Sequence, residues 1–416
     1  MTTSVETFTE LGLIPELLRA VCDAKYTAPT PIQAAAIPVV LQNKDVLGCA
    51  QTGTGKTAGF LLPILQRLAD PAGGKRSHVR SLVLTPTREL AAQIGESARI
   101  YGKYLKVRTA VVFGGVGLGP QTEQLRRGVD LLIATPGRLL DHMERGNVAL
   151  SGVHVLVLDE ADRMLDMGFL PDVRRILRAM PAERQTLLFS ATMPQEIERL
   201  ARDTLRSPVL IEVGRRATPV STVKQVIYPV EAEKKHALLS HLLMHGKMTQ
   251  VLVFTRTKSR ADRLTQQLMQ TGRRVAALHS GKSQGVRTQV LSSFRSGRIE
   301  VLVATDIAAR GLDVEGISHV VNFDVPTTPE DYVHRIGRTA RAAAIGNAIS
   351  LASSDEVGSI HAIERTIGAT IPRRIIGGFE PVASTLNRFK QPAASRSERI
   401  ASGAIRSFTP RGQKRW

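Results

Sequence analysis

Short unbroken runs of Val, Ile and Leu alternate with longer segments of helical periodicity along this chain, and that alternation restricts the fold more than any other feature. "DVLGCA" (45–50), "SLVLTP" (81–86), "DLLIATP" (130–136), "VLVLDE" (155–160) and "TLLFSAT" (186–192) are apolar at successive positions. A strand with one wet face would alternate apolar and polar residues, so runs like these belong to parallel sheets covered by helices on both faces. The pattern stops at the Pro-, Ser- and Arg-rich stretch 206–225 and then restarts with "QVLVFTRT" (250–257), "RVAALHS" (274–280), "EVLVATD" (300–306), "HVVNFD" (319–324) and "NAISLAS" (347–353). The expected architecture is α/β: one domain over 1–206, a linker over 207–222, a second domain over 223–371. Beyond 372 the periodicity fades into Ser, Pro, Gly and Arg, which predicts a disordered basic tail over 372–416.

The 416 residues include only Cys22 and Cys49, which excludes a disulfide framework and a cysteine-based metal site and suits a reducing cytoplasm. The opening "MTTSVETFTELG" lacks the basic head and apolar core of a leader, and no apolar stretch is long enough to span a membrane. The expected location is therefore cytoplasmic. Lys and Arg outnumber Asp and Glu by 56 to 37, a net charge of +19, with ten basic and two acidic residues over 372–416. Such an excess points to a polyanionic partner, most often nucleic acid.

"AQTGTGKT" (50–57) follows the first apolar run and precedes an amphipathic segment. A phosphate loop needs glycines that let backbone N–H groups approach phosphate, a lysine for charge, and a hydroxyl for magnesium. Gly53, Gly55, Lys56 and Thr57 supply these, with Thr54 between the glycines, and the small Ala50 can make the turn where a first glycine is usual. A second Gly-Lys-Ser, in "AALHSGKS" (276–283), lacks the inner glycine and reads as an ordinary strand-to-helix turn. "VLVLDEAD" (155–162) ends an apolar run in acids, an arrangement suited to magnesium at Asp159 through water and to Glu160 polarising a water.

With "AQTGTGKT" and "DEAD" in one chain, the sequence resembles the DEAD-box RNA helicases over roughly residues 8–341. The ordered set is "PTPIQ" (29–33), "AQTGTGKT", "PTREL" (86–90), "GG" (114–115), "TPGR" (135–138), "DEAD" (159–162), "SAT" (190–192), "VFTRT" (253–257), "TDIAARGLD" (305–313) and "HRIGRTAR" (334–341). The resemblance implies two tandem RecA-like domains, the first carrying an adenine-recognition segment over 8–33, with ATP and Mg2+ as cofactors. It implies that Gln33 reads adenine, that Tyr26 stacks on the base with Phe8 behind it, and that Asp313 holds the ribose. Lys25 stands where the family usually has glycine. It further implies that Arg338 and Arg341 meet the γ-phosphate as in-chain arginine fingers. Ser190 and Thr192 would couple hydrolysis to RNA through Asp162 and His334.

For RNA the resemblance offers Arg88, Gly115, Thr135 and Arg138 in the first domain and Thr255, Gln284, Arg287 and Thr305 in the second. Amides, hydroxyls and guanidinium groups suit phosphate and 2′-hydroxyl contacts that read no sequence. The implied activity is ATP-dependent local separation of short RNA duplexes, with single-stranded RNA as ligand and ribosomal or RNA-decay assemblies as candidate partners. "DEADRMLDMGF" (159–169) resembles the bacterial RhlE-like subgroup. An RNA-dependent ATPase clamp, a non-catalytic RNA-annealing chaperone and a DNA helicase of the same architecture stand as alternatives at this point.

Overall fold

The apolar runs become parallel strands. In the computed structural model, which describes residues 7–50, 54–70, 79–212, 223–246, 248–309, 316–339 and 346–390, the chain divides into two compact units. Among the described residues, the first takes those up to 212 with 280–289 and 307–309; the second takes those of 223–279, 290–306 and 316–390. In the first, β1 (Val46–Cys49), β2 (Ser81–Leu84), β3 (Thr109–Val112), β4 (Leu131–Ala134), β5 (Val155–Leu158), β6 (Gln185–Ser190) and β7 (Val209–Glu212) pair in the order β3-β4-β2-β5-β6-β1-β7, every ladder parallel. In the second, β8 (Val223–Pro229), β9 (Val251–Phe254), β10 (Val275–Leu278), β11 (Val301–Ala304), β12 (His319–Asn322) and β13 (Gly346–Ala352) pair in parallel in the order β10-β11-β9-β12-β13-β8.

Burial on both faces explains the unbroken runs. Val155 and Val157 join a core with the helices Pro15–Asp23, Pro31–Leu41, Lys56–Ala69 and Arg88–Tyr101. Leu156 and Leu158, one residue out of phase, join a second core with the helices Pro136–Glu144, Leu170–Arg178 and Gln195–Thr204. Each such side chain contributes about 1.5–3 kcal/mol when fully buried. The register brings the strand ends level: Cys49 lies opposite Ser190, Leu84 opposite both Leu158 and Ala134, and Val112 opposite Ala134. In an all-parallel sheet the carboxyl ends share one edge, where ligands bind in open α/β folds. The segments "AQTGTGKT", "PTREL", "GG", "TPGR", "DEAD" and "SAT" all follow strand ends on that edge.

Two expected boundaries move. Residues 209–212 fall in the segment expected to be linker, yet they form β7 on β1, with Ile211 buried and Val209 N donating to Asp45 O at 2.8 Å. Residues 372–390, expected to belong to the disordered basic tail, are in part ordered on the second unit. Ile227 bridges to Arg373 across β8, and the Arg373 guanidinium grips the Glu364 carboxylate, with Nη2 2.9 Å from Oε2. The helix Ala383–Lys390 buries Thr385 and Phe389 on the second unit, where Glu231 accepts from Val382 N and Thr385 Oγ1. The tail expectation for 391–416 lies outside the described residues, as do residues 213–222 of the linker. No helix among the described residues is long and apolar enough to cross a membrane.

Candidate functional site

Lys56 opens the helix Lys56–Ala69, with Gly55 as its N-cap at φ 90°. A side chain at 55 is excluded twice: by the left-handed backbone, and by space, since a Cβ there would lie 2.5 Å from Gln33 Nε2. The buried Lys56 ammonium donates to Ala50 O at 2.9 Å, so the charge stays at the helix N-terminus, where the unpaired N–H groups and the dipole favour an anion. Thr54 and Thr57 flank this turn; Gly53 lies outside the described residues.

Asp159 continues β5 by donating its N–H to Leu84 O at 2.9 Å, which places it at the carboxyl edge of the sheet. It is buried, and its Oδ1 has no hydrogen-bond partner among the described residues. Burial pushes its carboxyl up to about 6, the neighbouring Glu160 charge adds to the rise, and Lys56 opposes it. A buried acceptor left open, with the Lys56 charge acting on it, fits a hydrated magnesium ion. Glu160 sits at φ 55°, a left-handed conformation that costs of order 1–3 kcal/mol for a residue with a side chain. Its carboxylate accepts from Arg163 Nη1 at 2.7 Å, and both side chains are buried.

Asp162 is tied to the end of β6. Its Oδ2 accepts from Ala191 N, Thr192 N and Thr192 Oγ1 at 3.1, 2.9 and 3.1 Å, while Ser190 Oγ accepts from Asp162 N and donates to Thr192 O. The structure thus joins three of the expected coupling residues, Asp162, Ser190 and Thr192. The fourth, His334, lies in the helix Pro329–Ile336 of the second unit, with Arg338 just beyond it and buried. Asp313 and Arg341 fall outside the described residues.

Phe8 and Tyr26 stack with ring centroids 6.2 Å apart and planes 23° off parallel; Phe8 is buried and Tyr26 exposed. Lys25 adopts φ 60°, which explains why glycine suits that turn. Gln33 is buried and uses both ends of its amide inside the protein. Oε1 accepts from Thr30 N at 2.9 Å in a capping box, and Nε2 donates to Gly55 O at 3.1 Å. An amide has two acceptor lone pairs and two N–H donors, so a purine edge can still be read while Gln33 stays bound to the loop.

The residues expected to meet RNA in the first unit gather on the turn after β3. Gly115 has φ 81°, and a Cβ there would lie 1.9 Å from Arg88 Nη1, so the arginine packs directly on the turn. Arg88 starts its helix behind the N-cap Thr87; Thr135 is N-cap of Pro136–Glu144, and Arg138 in that helix donates to Val116 O at 3.0 Å. In the second unit Thr255 and Thr305 follow the neighbouring strands β9 and β11, both buried, with Thr255 N donating to Ala304 O. Gln284 and Arg287 lie in the first turn of the helix Gln284–Arg295.

Sequence reasoning passes over several partners. Thr30 was legible, since Thr-x-x-Gln is the capping-box pattern. Arg335, which on spacing alone could belong to a solvated basic face, is buried: it grips Asp306 with Nε and Nη2 at 2.6 and 2.8 Å and lies over the Phe254 ring. "AALHSGKS" is a strand-to-helix turn, in which His279 is buried and 3.0 Å from Asp262.

Comparison with known proteins agrees with this layout. Residues 30–200 match the DEAD/DEAH box helicase family, and residues 233–343 match the helicase conserved C-terminal domain. The DEAD-box ATP-dependent RNA helicase CshA of Geobacillus kaustophilus is 46% identical over 360 residues, covering 86% of this chain and 76% of the relative. The structure of S. cerevisiae Dbp5 bound to RNA and ADP BeF3 superposes with TM-score 0.81 at 31% identity, covering 92% of this chain and 100% of that one. Mss116p bound to ssRNA and AMP-PNP gives TM-score 0.82 at 26% identity, covering 94% and 84%.

Proposed function

The chain belongs to the DEAD-box ATP-dependent RNA helicases and hydrolyses ATP to remodel RNA; from that premise we propose how its own residues divide the work. Lys56 and the N–H groups of its helix hold the phosphates. Thr57 and Asp159 hold magnesium, which when bound neutralises charge on the phosphate oxygens. Glu160 polarises the attacking water and takes its proton. Gln33 and Tyr26, supported by Phe8, hold adenine, Asp313 holds the ribose, and Arg338 and Arg341 meet the γ-phosphate. The observation that carries this reading is Asp159: a buried carboxylate kept without a protein partner at Oδ1, among the described residues, on the same sheet edge as Lys56.

Arg88, Gly115, Thr135 and Arg138, with Thr255, Gln284, Arg287 and Thr305, are assigned to the phosphates and 2′-hydroxyls of single-stranded or short duplex RNA. Solved relatives that hold RNA together with a nucleotide analogue support one complex containing both ligands. Asp162, Ser190, Thr192 and His334 are assigned to coupling the two. The finer placements are an RhlE-like subgroup, supported by "DEADRMLDMGF" although the relative above carries the CshA name, and a cytoplasmic setting in ribosomal or RNA-decay assemblies.

The test is ATP hydrolysis with and without single-stranded RNA, with DNA as control, beside displacement of a short RNA duplex at one fixed salt concentration. RNA-stimulated turnover with strand separation is expected. Turnover equal with DNA, or RNA binding without turnover, would overturn the assignment.

A further inference from the structure

A buried amide sits behind the turn that Arg88 and Arg138 flank. Gln121, in the helix Leu118–Arg126, is only 6% exposed. Its Nε2 donates to Phe113 O at 3.0 Å, at the start of the Gly114–Gly115 turn, and its Oε1 accepts from Arg138 Nη1 at 3.3 Å. His142 Nε2 lies 3.2 Å from the same Oε1, and Asn147 Nδ2 lies 3.2 Å from His142 Nδ1 and 3.3 Å from Thr122 Oγ1.

Donor and acceptor roles in this chain of contacts are fixed by Arg138. A guanidinium can only donate, so the Gln121 atom facing it is the carbonyl oxygen. His142 Nε2, facing that same oxygen, must then carry a hydrogen, and Nδ1 is left as the acceptor for Asn147. With Asn147 Nδ2 facing Nδ1, the neutral tautomer that carries its hydrogen on Nε2 satisfies both contacts; full burial, followed by the Arg138 charge, lowers the pKa of His142 and so favours the same form. With the imidazole locked, Gln121 cannot flip without setting donor against donor at Arg138 and at His142. One amide therefore adds a second tie between the turn 113–116 and the guanidinium of "TPGR", beside the direct bond from Arg138 Nη1 to Val116 O and the pairing of β3 with β4.

We infer that Gln121, backed by His142, is a positioning residue for RNA binding, holding the Gly115 turn and Arg138 in the single arrangement that presents both to the RNA backbone. This rests on the reading above that Gly115 and Arg138 contact RNA. Gln121 touches no substrate; it acts through Arg138 and the turn.

The experiment compares Gln121→Leu, Arg138→Ala and the double variant in the full chain, using a homopolymeric single-stranded RNA. Gln121→Leu is expected to raise the RNA concentration for half-maximal ATP turnover roughly tenfold, with kcat at saturating RNA and the KM for ATP retained. The slope of log affinity against log salt is expected to fall by about 0.7 in Gln121→Leu, as one phosphate contact is lost, and to fall no further in the double variant than in Arg138→Ala. A loss of packing alone would not move that slope. Gln121→Asn, one methylene too short to span both partners, takes the place of Leu if the latter does not fold, with the same expected outcome. Wild-type half-saturation and salt slope in the Gln121 variant, with both altered in Arg138→Ala, would overturn the positioning role alone. If Arg138→Ala is also unchanged, the assignment of this surface to RNA fails as well.

Discussion

At the ends of β11, β12 and β13 in the second unit, Asp306, Asp324 and Glu356 each meet a cation: Arg335 at 2.6 Å, Arg260 at 2.9 Å and Lys235 at 2.5 Å. At the end of β5 in the first unit, Asp159 has an open Oδ1 and a raised pKa, while its neighbours Glu160 and Asp162 are held by Arg163 and by the backbone after β6. Both sheets are built alike, with parallel strands ending on one edge. The difference shows how to separate scaffold from chemistry on such an edge. A buried carboxylate satisfied by protein groups can hold segments together, as Glu356 does, whereas the open Oδ1 of Asp159 fits the proposed ligand role; Glu160, although paired with Arg163, stands next to it on the same edge.

Exchanging acids for amides in the two units sharpens this contrast. Glu160→Gln is expected to have the largest effect, cutting RNA-stimulated ATP turnover by roughly 10²–10⁴-fold. The amide oxygen can still accept from Arg163, but the buried guanidinium loses its counter-charge, so melting is also expected to fall, and binding of ATP and RNA should persist when measured well below the transition. Turnover near the wild-type level would remove Glu160 from the chemistry. Glu356→Gln is expected to do the reverse. It strands the buried Lys235 ammonium, which also donates to Phe323 O, and breaking such a pair costs about 3–5 kcal/mol. Melting should fall sharply, while turnover per folded molecule, measured well below the transition, is kept. Unchanged melting with lost turnover would place Glu356 in the catalytic apparatus and break the comparison.

Much of this contrast was legible in the residues. Unbroken apolar runs imply parallel strands, parallel strands imply a shared carboxyl edge, and the chemistry-bearing segments follow the runs. β3 and β8 escaped because they are edge strands with mixed faces: "TAVV" is half exposed, and "VKQVIYP" carries Lys224 and Gln225 in its interior. β7 escaped because its four residues sit inside a Pro- and Arg-rich stretch. Arg163 lies three residues from Glu160 and could have been paired with it on helical spacing. Gln121 and His142 could not have been found that way, since their meeting depends on how two helices pack over β3 and β4. Arg335 shows the same limit: its sequence neighbours suggest solvent, and only the fold supplies Asp306, Asn322 Oδ1 and Asp324 O.

The smallest effect tests the comparison at its origin. The folded pKa of Asp159, about 6, lies above the ordinary aspartate value of 3.8, so between these values the folded chain binds more protons than the unfolded one. Its contribution to stability is therefore present at low pH and lost as pH rises through about 6. Asn has nearly the same shape and no charge to bury, so Asp159→Asn should match the wild type near pH 4. Above pH 6 it should become more stable by up to about 3 kcal/mol, when both are unfolded without nucleotide in a chelator of divalent ions. The same exchange should also lower ATP turnover, since the proposed reading gives this charge to magnesium. Greater stability joined to lost activity is the signature of a residue kept strained for its ligand. If Asp159→Asn is no more stable than the wild type at pH 7.5, the open carboxylate carries no burial penalty, and the contrast between the two sheet edges loses its physical basis.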